Sequence, residues 1–315
     1  MKHKIITTLI AVILAFPAIA QQGVLLSQYF FDPLYINPAY AGSRGAFSGT
    51  LTYRDQWVGL PGAPETEALS VHTPIPLTSL GIGLQLDNDV TGPLRISTAT
   101  LNLSSTVHLT KEIKLAFGLA GSLNDVVVND NELNIETPND PVFPAGSNSL
   151  LVPDANAGIY LYKSTFYFGA AAVHILQSTW AEKNQPAFPS GDFYRQYFVT
   201  SGIVAKLSDN LAIRPSALVQ FIQTAPALYE LDASFIFSNK LFIGAGFRNN
   251  ERISISGTDN YIIPCIEYDF AAFRIGYSYD IVLNSQNISG GTHEIMLGWD
   301  LGGDNLLKRE NPRYF

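Results

Sequence analysis

Serine, histidine and cysteine most often carry nucleophilic or metal chemistry, and their spacing in this chain writes neither. No serine lies in a Gly-x-Ser-x-Gly elbow or has a lysine three residues on. His72, His108, His174 and His293 are far apart and lack H-x-x-x-H or H-E-x-x-H spacing, so no zinc site is expected. Cys265 is the single cysteine, which excludes an intrachain disulfide framework. Gly81-Ile-Gly83 and Gly244-Ala-Gly246 look like fragments of nucleotide loops, but they sit in alternating runs with no following helix and read as bend or inward-facing positions. Asp125, Asp130, Glu132, Glu136 and Asp140 offer oxygens of the kind calcium takes, yet without EF-hand spacing, and a solvated loop is the plainer reading. Neither a catalytic centre nor a cofactor is expected.

The elements that would position any site are strands. Of the 315 residues 47% are hydrophobic, which excludes a disordered chain, while only 15% are charged, against roughly 25% in ordinary soluble proteins. A surface partly exposed to lipid explains that deficit, because charge is costly against hydrocarbon. Residues 1–20 read as a signal peptide: Lys2 and Lys4 form a basic region, Ile5 to Phe16 an apolar one, and Ala18-Ile-Ala20 a small-residue cleavage site before Gln21. Removing Lys2 and Lys4 takes the 19 basic residues to 17 against 27 acidic, a formal charge of −10 that makes nucleic acid a poor partner.

Beyond residue 20 no apolar run is long enough for a membrane helix, and the recurring pattern has period two. In Leu101 to Leu109 the odd positions are mostly Leu or Val and the even ones are Asn102, Ser104, Thr106 and His108. Leu80 to Asp87 and Phe273 to Asp280 alternate in the same way. Such runs give fourteen expected strands, roughly 43–55, 65–73, 80–88, 96–109, 114–124, 155–163, 166–174, 196–206, 210–223, 227–237, 241–249, 259–270, 273–280 and 292–301, with ends uncertain by about two to four residues. Connections after even-numbered strands are short; those after odd-numbered strands are mostly longer, with Asp125–Asp154 and Ile175–Arg195 the longest. An even strand count with short turns at one end and long loops at the other is the signature of an all-β, antiparallel transmembrane barrel of the bacterial outer membrane, with both termini on the periplasmic side. A secreted β-sandwich would also alternate, but gives no reason for loop length to follow strand parity.

In such a barrel the apolar set faces lipid and the polar set the lumen. His108, Arg214, Glu230, Asp232, Arg248, Arg274, Asp280 and Glu294 are therefore expected inside. Tyr53, Tyr160, Tyr162, Phe166, Tyr197, Phe235, Phe237, Tyr277, Tyr279 and Trp299 are expected in interfacial girdles. Fourteen strands are wider than the eight that side chains fill and narrower than the sixteen that leave an aqueous channel. Something is needed to occupy the lumen, and residues 21–42, ahead of a barrel over 43–301, are the candidate. Pro33 and Pro38 forbid ladder pairing there, and Gly42 and Gly45 permit positive φ where the chain enters the wall. The segment is either a lead-in packed under the barrel or a plug that enters it.

Gln28-Tyr29, Asn37-Pro-Ala-Tyr-Ala-Gly42 and Arg54-Asp-Gln-Trp57 together resemble the N-terminal signature of the PorP/SprF family of outer-membrane proteins, with further matches at Ser278-Tyr-Asp280, His293-Glu-Ile295 and Arg309 to Phe315. The family's frequent terminal Cys-Pro-Arg is Asn311-Pro312-Arg313 here. The resemblance implies a barrel of the type IX secretion system of Bacteroidota. Such a barrel would support secretion or surface attachment of a partner protein, such as an adhesin with a C-terminal sorting domain, in some members serving gliding motility. It implies as partners that secreted protein, other type IX components, a periplasmic cell-wall-binding protein and outer-membrane lipid. It also implies a structural or docking role for Asn37, Pro38, Ala39, Gly42, Arg54 and Trp57, with no active site. The competing expectation, from barrel width and a polar lumen, is a porin-like channel for small solutes. Phe143, Pro144, Trp180 and Phe188, in the two longest loops, are candidate partner-binding residues if exposed; the same loops would close the mouth if they fold inward. The tail, 302–315, is either a docking peptide or a frayed end.

Overall fold

The fold follows from fourteen alternating segments, each of which can hide its polar face only by curling with its neighbours into a closed sheet. The computed structural model describes residues 25–129, 147–180, 191–223, 225–250, 259–283 and 290–302. The strands are β1 Phe47–Asp55, β2 Glu65–Pro74, β3 Leu80–Thr91, β4 Leu94–His108, β5 Lys114–Asn129, β6 Ser147–Lys163 and β7 Phe166–Val173. They continue as β8, in the two collinear pieces Gln196–Ile203 and Ala205–Ser208, then β9 Leu211–Ile222, β10 Ala225–Phe237, β11 Leu241–Asn250, β12 Asp259–Phe270, β13 Phe273–Val282 and β14 Thr292–Leu301. Every strand pairs antiparallel with its sequence neighbours, and β1 pairs with β14 from Phe47↔Leu301 to Asp55↔His293, closing a barrel of 14 strands. Closure leaves no strand edge for another chain to pair with.

Side chains alternate as the period requires. Leu101, Leu103, Phe117, Leu119, Phe235, Ile275 and Leu297 stand exposed on the outer wall, while Asn102, Ser104, Ser234 and Ser278 are buried inside it. Arg214, Glu230, Asp232, Arg248, Arg274, Asp280 and Glu294 are buried as expected. His108 shares the inward parity but ends its strand and is exposed. Tyr160 and Tyr162 correct the girdle expectation: they are buried, packed with Tyr40 and Tyr167. The outward neighbours on that strand are Ile159 and Leu161, so the tyrosines carry the inward parity.

Two boundaries also differ. β1 starts at Phe47 because Gly42 and Gly45, with φ of 74° and 70°, hold a turn ahead of it. The supposed loop Asp125–Asp154 is strand at both its ends, β5 running on to Asn129 and β6 starting at Ser147, and residues 130–146 between them lie outside the described residues. Pro153 lies within β6: above Ala157 that strand pairs only with β5, and proline is tolerated where one edge of a strand lacks a ladder. The β3–β4 and β9–β10 connections are tight, two residues each between Thr91 and Leu94 and between Ile222 and Ala225, so there the strands themselves lengthen.

Candidate functional site: the occupied lumen

Residues 25–42 lie inside the barrel. Leu26, Tyr29, Phe30, Phe31, Leu34, Ile36, Ala39, Tyr40 and Ala41 are all among the most buried side chains of the molecule. The local shape follows from two prolines. Each fixes φ at the first position of a short 3₁₀ turn, Pro33–Tyr35 and Pro38–Tyr40, and each pushes its preceding residue out of the helical region. Asn37 caps the second turn: its Oδ1 accepts from the Ala39 N–H at 3.0 Å, while its Nδ2 donates to the Ile159 carbonyl of β6 at 2.9 Å. One side chain thus shapes the plug and ties it to the wall.

The wall is cut to receive these turns. A Cβ at Gly118 would collide with the Pro38 and Ala39 backbone, one at Gly158 with Asn37 Oδ1, and one at Gly81 with the Ala41 carbonyl. At Gly276 it would stand 2.7 Å from Gln28 Oε1 and 2.9 Å from the Phe31 ring. These glycines mark close approach of the plug, by its backbone at Gly118 and Gly81 and by its side chains at Gly158 and Gly276, and Gly81 was seen in the sequence as an inward-facing position.

Charge holds the segment at its N-terminal end. Arg54 Nη2 meets Asp280 at 2.9 Å, and its Nη1 meets Glu294 at 2.9 Å and Ser27 Oγ at 2.6 Å. Glu294 accepts the Ser27 and Gln28 backbone N–H groups at 2.7 and 2.8 Å, and the Ser27 hydroxyl donates to Asp280. Arg248 pairs with Glu230 at 2.5 Å and approaches Asp280 at 3.5 Å and the Leu26 carbonyl at 3.4 Å. Side chains from β1, β11, β13 and β14, with Glu230 of β10 behind Arg248, therefore converge on Leu26, Ser27 and Gln28. Buried ion pairs add little net stability but are costly to break, so the cluster fixes where the plug sits. Lower down, Arg214 lies over Phe30 at 4.4 Å and pairs with Glu267 at 3.3 Å, and Arg274 lies over Phe31 at 4.6 Å. Asp32 accepts from the Ser70 hydroxyl at 2.5 Å.

The plug descends from this cluster, near the ends of β1 and β13, to the rim where β1 begins. There Gly42 N–H donates to His72 Nδ1 at 3.0 Å, and Arg44 donates to Tyr40 Oη at 2.9 Å and meets Asp300 at 3.4 Å. Of the residues singled out in the sequence, Asn37, Pro38, Ala39, Gly42 and Arg54 all belong to this seat. Trp57 stands apart, in the β1–β2 connection at the opposite rim, with φ of 52° and its N–H on Thr292 Oγ1 at 3.3 Å. Ser27 and the convergence of Asp280 and Glu294 on it were not foreseen.

The loop candidates divide. Phe143, Pro144 and Phe188 lie outside the described residues, as do Asp130 to Asp140. Of the two arrangements left open for the loop bearing Trp180, the structure has the inward one: Trp180 is 2% exposed, packed with Val126, Val128 and Val152 on the inner wall of β5 and β6. Its segment folds inward, held by Asp154, which accepts from Leu176 N–H at 3.2 Å and pairs with His174 at 2.9 Å. Among the described residues no cluster of His, Cys, Asp and Glu is arranged to hold a metal ion.

A closed, lipid-faced barrel with its own N-terminal segment in the lumen defines an outer-membrane protein. Similar barrels include a FadL homologue of Pseudomonas aeruginosa (TM-score 0.50, 12% identity, covering 84% of this chain and 93% of that one) and the CymD monoaromatic hydrocarbon channel (TM-score 0.51, 12% identity, 89% and 94%). At that identity they establish the fold alone. The chain belongs to the PorP/SprF family of type IX secretion system membrane proteins, whose model matches residues 18–299. No curated protein matches the sequence.

Proposed function

We propose that this protein is a stoppered barrel serving the type IX secretion system as a docking and attachment partner for a secreted surface protein. An adhesin with a C-terminal sorting domain is the expected cargo, with gliding motility as one use of it. The observation that carries the reading is the occupied lumen: a segment pinned by buried ion pairs and seated against wall glycines leaves the barrel's outer faces and mouth, rather than a pore, as its working surfaces. That counts against the solute-channel alternative.

In this reading residues 1–20 are removed on export and the short-turn rim, where β1 starts and β14 ends, faces the periplasm. The tail is then available to other type IX components or a cell-wall-binding protein. The mouth around Trp57 and the loops bearing Phe143, Pro144 and Phe188 face the cargo. The test is affinity purification of the tagged protein from crosslinked native outer membranes, with mass spectrometry of what accompanies it. Recovery of a large protein with a sorting domain, or of type IX components, supports the reading; a clean barrel under crosslinking that captures a known neighbour pair overturns it.

A further inference from the structure

The described lysines are Lys111, Lys114, Lys163, Lys206 and Lys240, and all five stand at the short-turn rim. They occupy four successive turns, β4–β5, β6–β7, β8–β9 and β10–β11, and share that arc with only two described carboxylates, Glu112 and Asp209. Lys163 approaches Glu112 at 3.7 Å, an exposed pair too weak to neutralise the arc. The remaining turns, Ile75 to Ser79 and Ala271-Ala272, carry no charge. The opposite rim has the reverse character, with Asp55, Glu65, Asp87, Asp89, Asp125 and Asp192 against Arg95 and Arg195. An arc of net positive charge on a chain of formal charge −8 is a segregation, not a sprinkling.

The depth of the arc says what it meets. Each turn sets its lysine within three residues of an outward apolar side chain: Leu109 before Lys111, Phe166 after Lys163, Leu207 beside Lys206 and Phe237 before Lys240. Leu109, Leu207 and Phe237 are 54%, 56% and 41% exposed. Lys163 Nζ lies 5.8 Å from the Phe166 ring centre. These apolar groups mark the edge of the hydrocarbon, so the ammonium groups a few ångströms beyond lie at headgroup level, where lysines snorkel to phosphates.

We propose that this arc binds anionic phospholipid headgroups, of the phosphatidylglycerol kind, along about half of the barrel's perimeter. A surface lysine is worth about a five-fold preference for an anionic lipid. The proposal is independent of the secretion reading, because symmetric vesicles present the same lipid to both rims. The experiment uses the full-length protein in phosphatidylcholine vesicles containing spin-labelled phosphatidylglycerol or spin-labelled phosphatidylcholine, and reads the motionally restricted fraction of each.

A several-fold selectivity for phosphatidylglycerol is expected. It should fall as salt rises and drop to no more than a single lysine's worth in the combined variant K111Q/K163Q/K206Q/K240Q, which keeps only Lys114 of the arc, while the matching lysine-to-arginine variant keeps it. All four side chains are outside the packed interior, and unchanged heat-modifiable gel mobility reports that the glutamine variant is folded. Equal restriction of the two lipids by the wild type, or selectivity undiminished in the folded glutamine variant, overturns the proposal. Absent lipid selectivity together with crosslinks from these lysines to an acidic periplasmic protein would assign the arc to that protein instead.

Discussion

Replacing Arg54 by leucine removes the one side chain that joins Asp280, Glu294 and Ser27, with two carboxylate contacts of 2.9 Å and a hydroxyl contact of 2.6 Å. Arg248 stays behind, but its approach to Asp280 is 3.5 Å, so two buried carboxylates are left under-compensated. Removing one partner of a buried pair costs about 3–5 kcal/mol. The barrel's strand ladders do not depend on Arg54, so the penalty falls on the seating of residues 25–42. Even the lower figure raises the unseated population by about a hundred-fold. Cys265 makes this measurable without engineering: it is the only thiol, faces inward from β12 and packs against the cluster of Leu26, Tyr29 and Phe30. A maleimide should label it slowly in the wild type and at least tens of times faster in Arg54→Leu at equal heat-modifiable mobility. Labelling of a folded Arg54→Leu barrel at the wild-type rate would refute the claim that these charges hold the plug.

Gly118→Val should dislodge the second 3₁₀ turn, because the new Cβ meets the Pro38 and Ala39 backbone, which cannot swing aside; overpacking of this kind costs about 1–3 kcal/mol. Gly121→Ala, three residues along the same strand with nothing within 4 Å of the added Cβ, should be neutral, and amide exchange at Ala39 and Tyr40 separates the two. Leu119 is 68% exposed on the outer wall, and Leu119→Arg should cost about 2–4 kcal/mol in denaturant titrations in lipid, the penalty for a midplane charge.

The wall was legible because period-two alternation is a local signal and a barrel repeats it fourteen times. Alternation assigns two faces but does not say which face an aromatic serves, which is why Tyr160 and Tyr162 were expected in lipid and sit beside Tyr40. The start of β6 is hard to read locally, since Pro153 and Asp154 are residues typical of turns and here border an edge lacking a ladder. The plug was legible in part: Pro33, Pro38, Gly42 and Gly45 announce a segment that cannot join the sheet, but not where it goes. Its partners were invisible, since Ser27 meets Asp280 and Glu294 across more than 250 residues of chain, and such contacts leave no trace in local pattern. The direction of Trp180 was left open for a related reason: an apolar residue in a loop reads the same whether the loop projects or folds back.

Single-channel recording in planar bilayers, comparing the full-length protein with a variant lacking residues 25–42, tests the stoppered lumen most directly. The wild type should be nearly silent and the deletion variant should conduct as an open fourteen-stranded pore. Steady large conductance from the wild type, or silence from a deletion variant shown to be folded in the membrane, would contradict it.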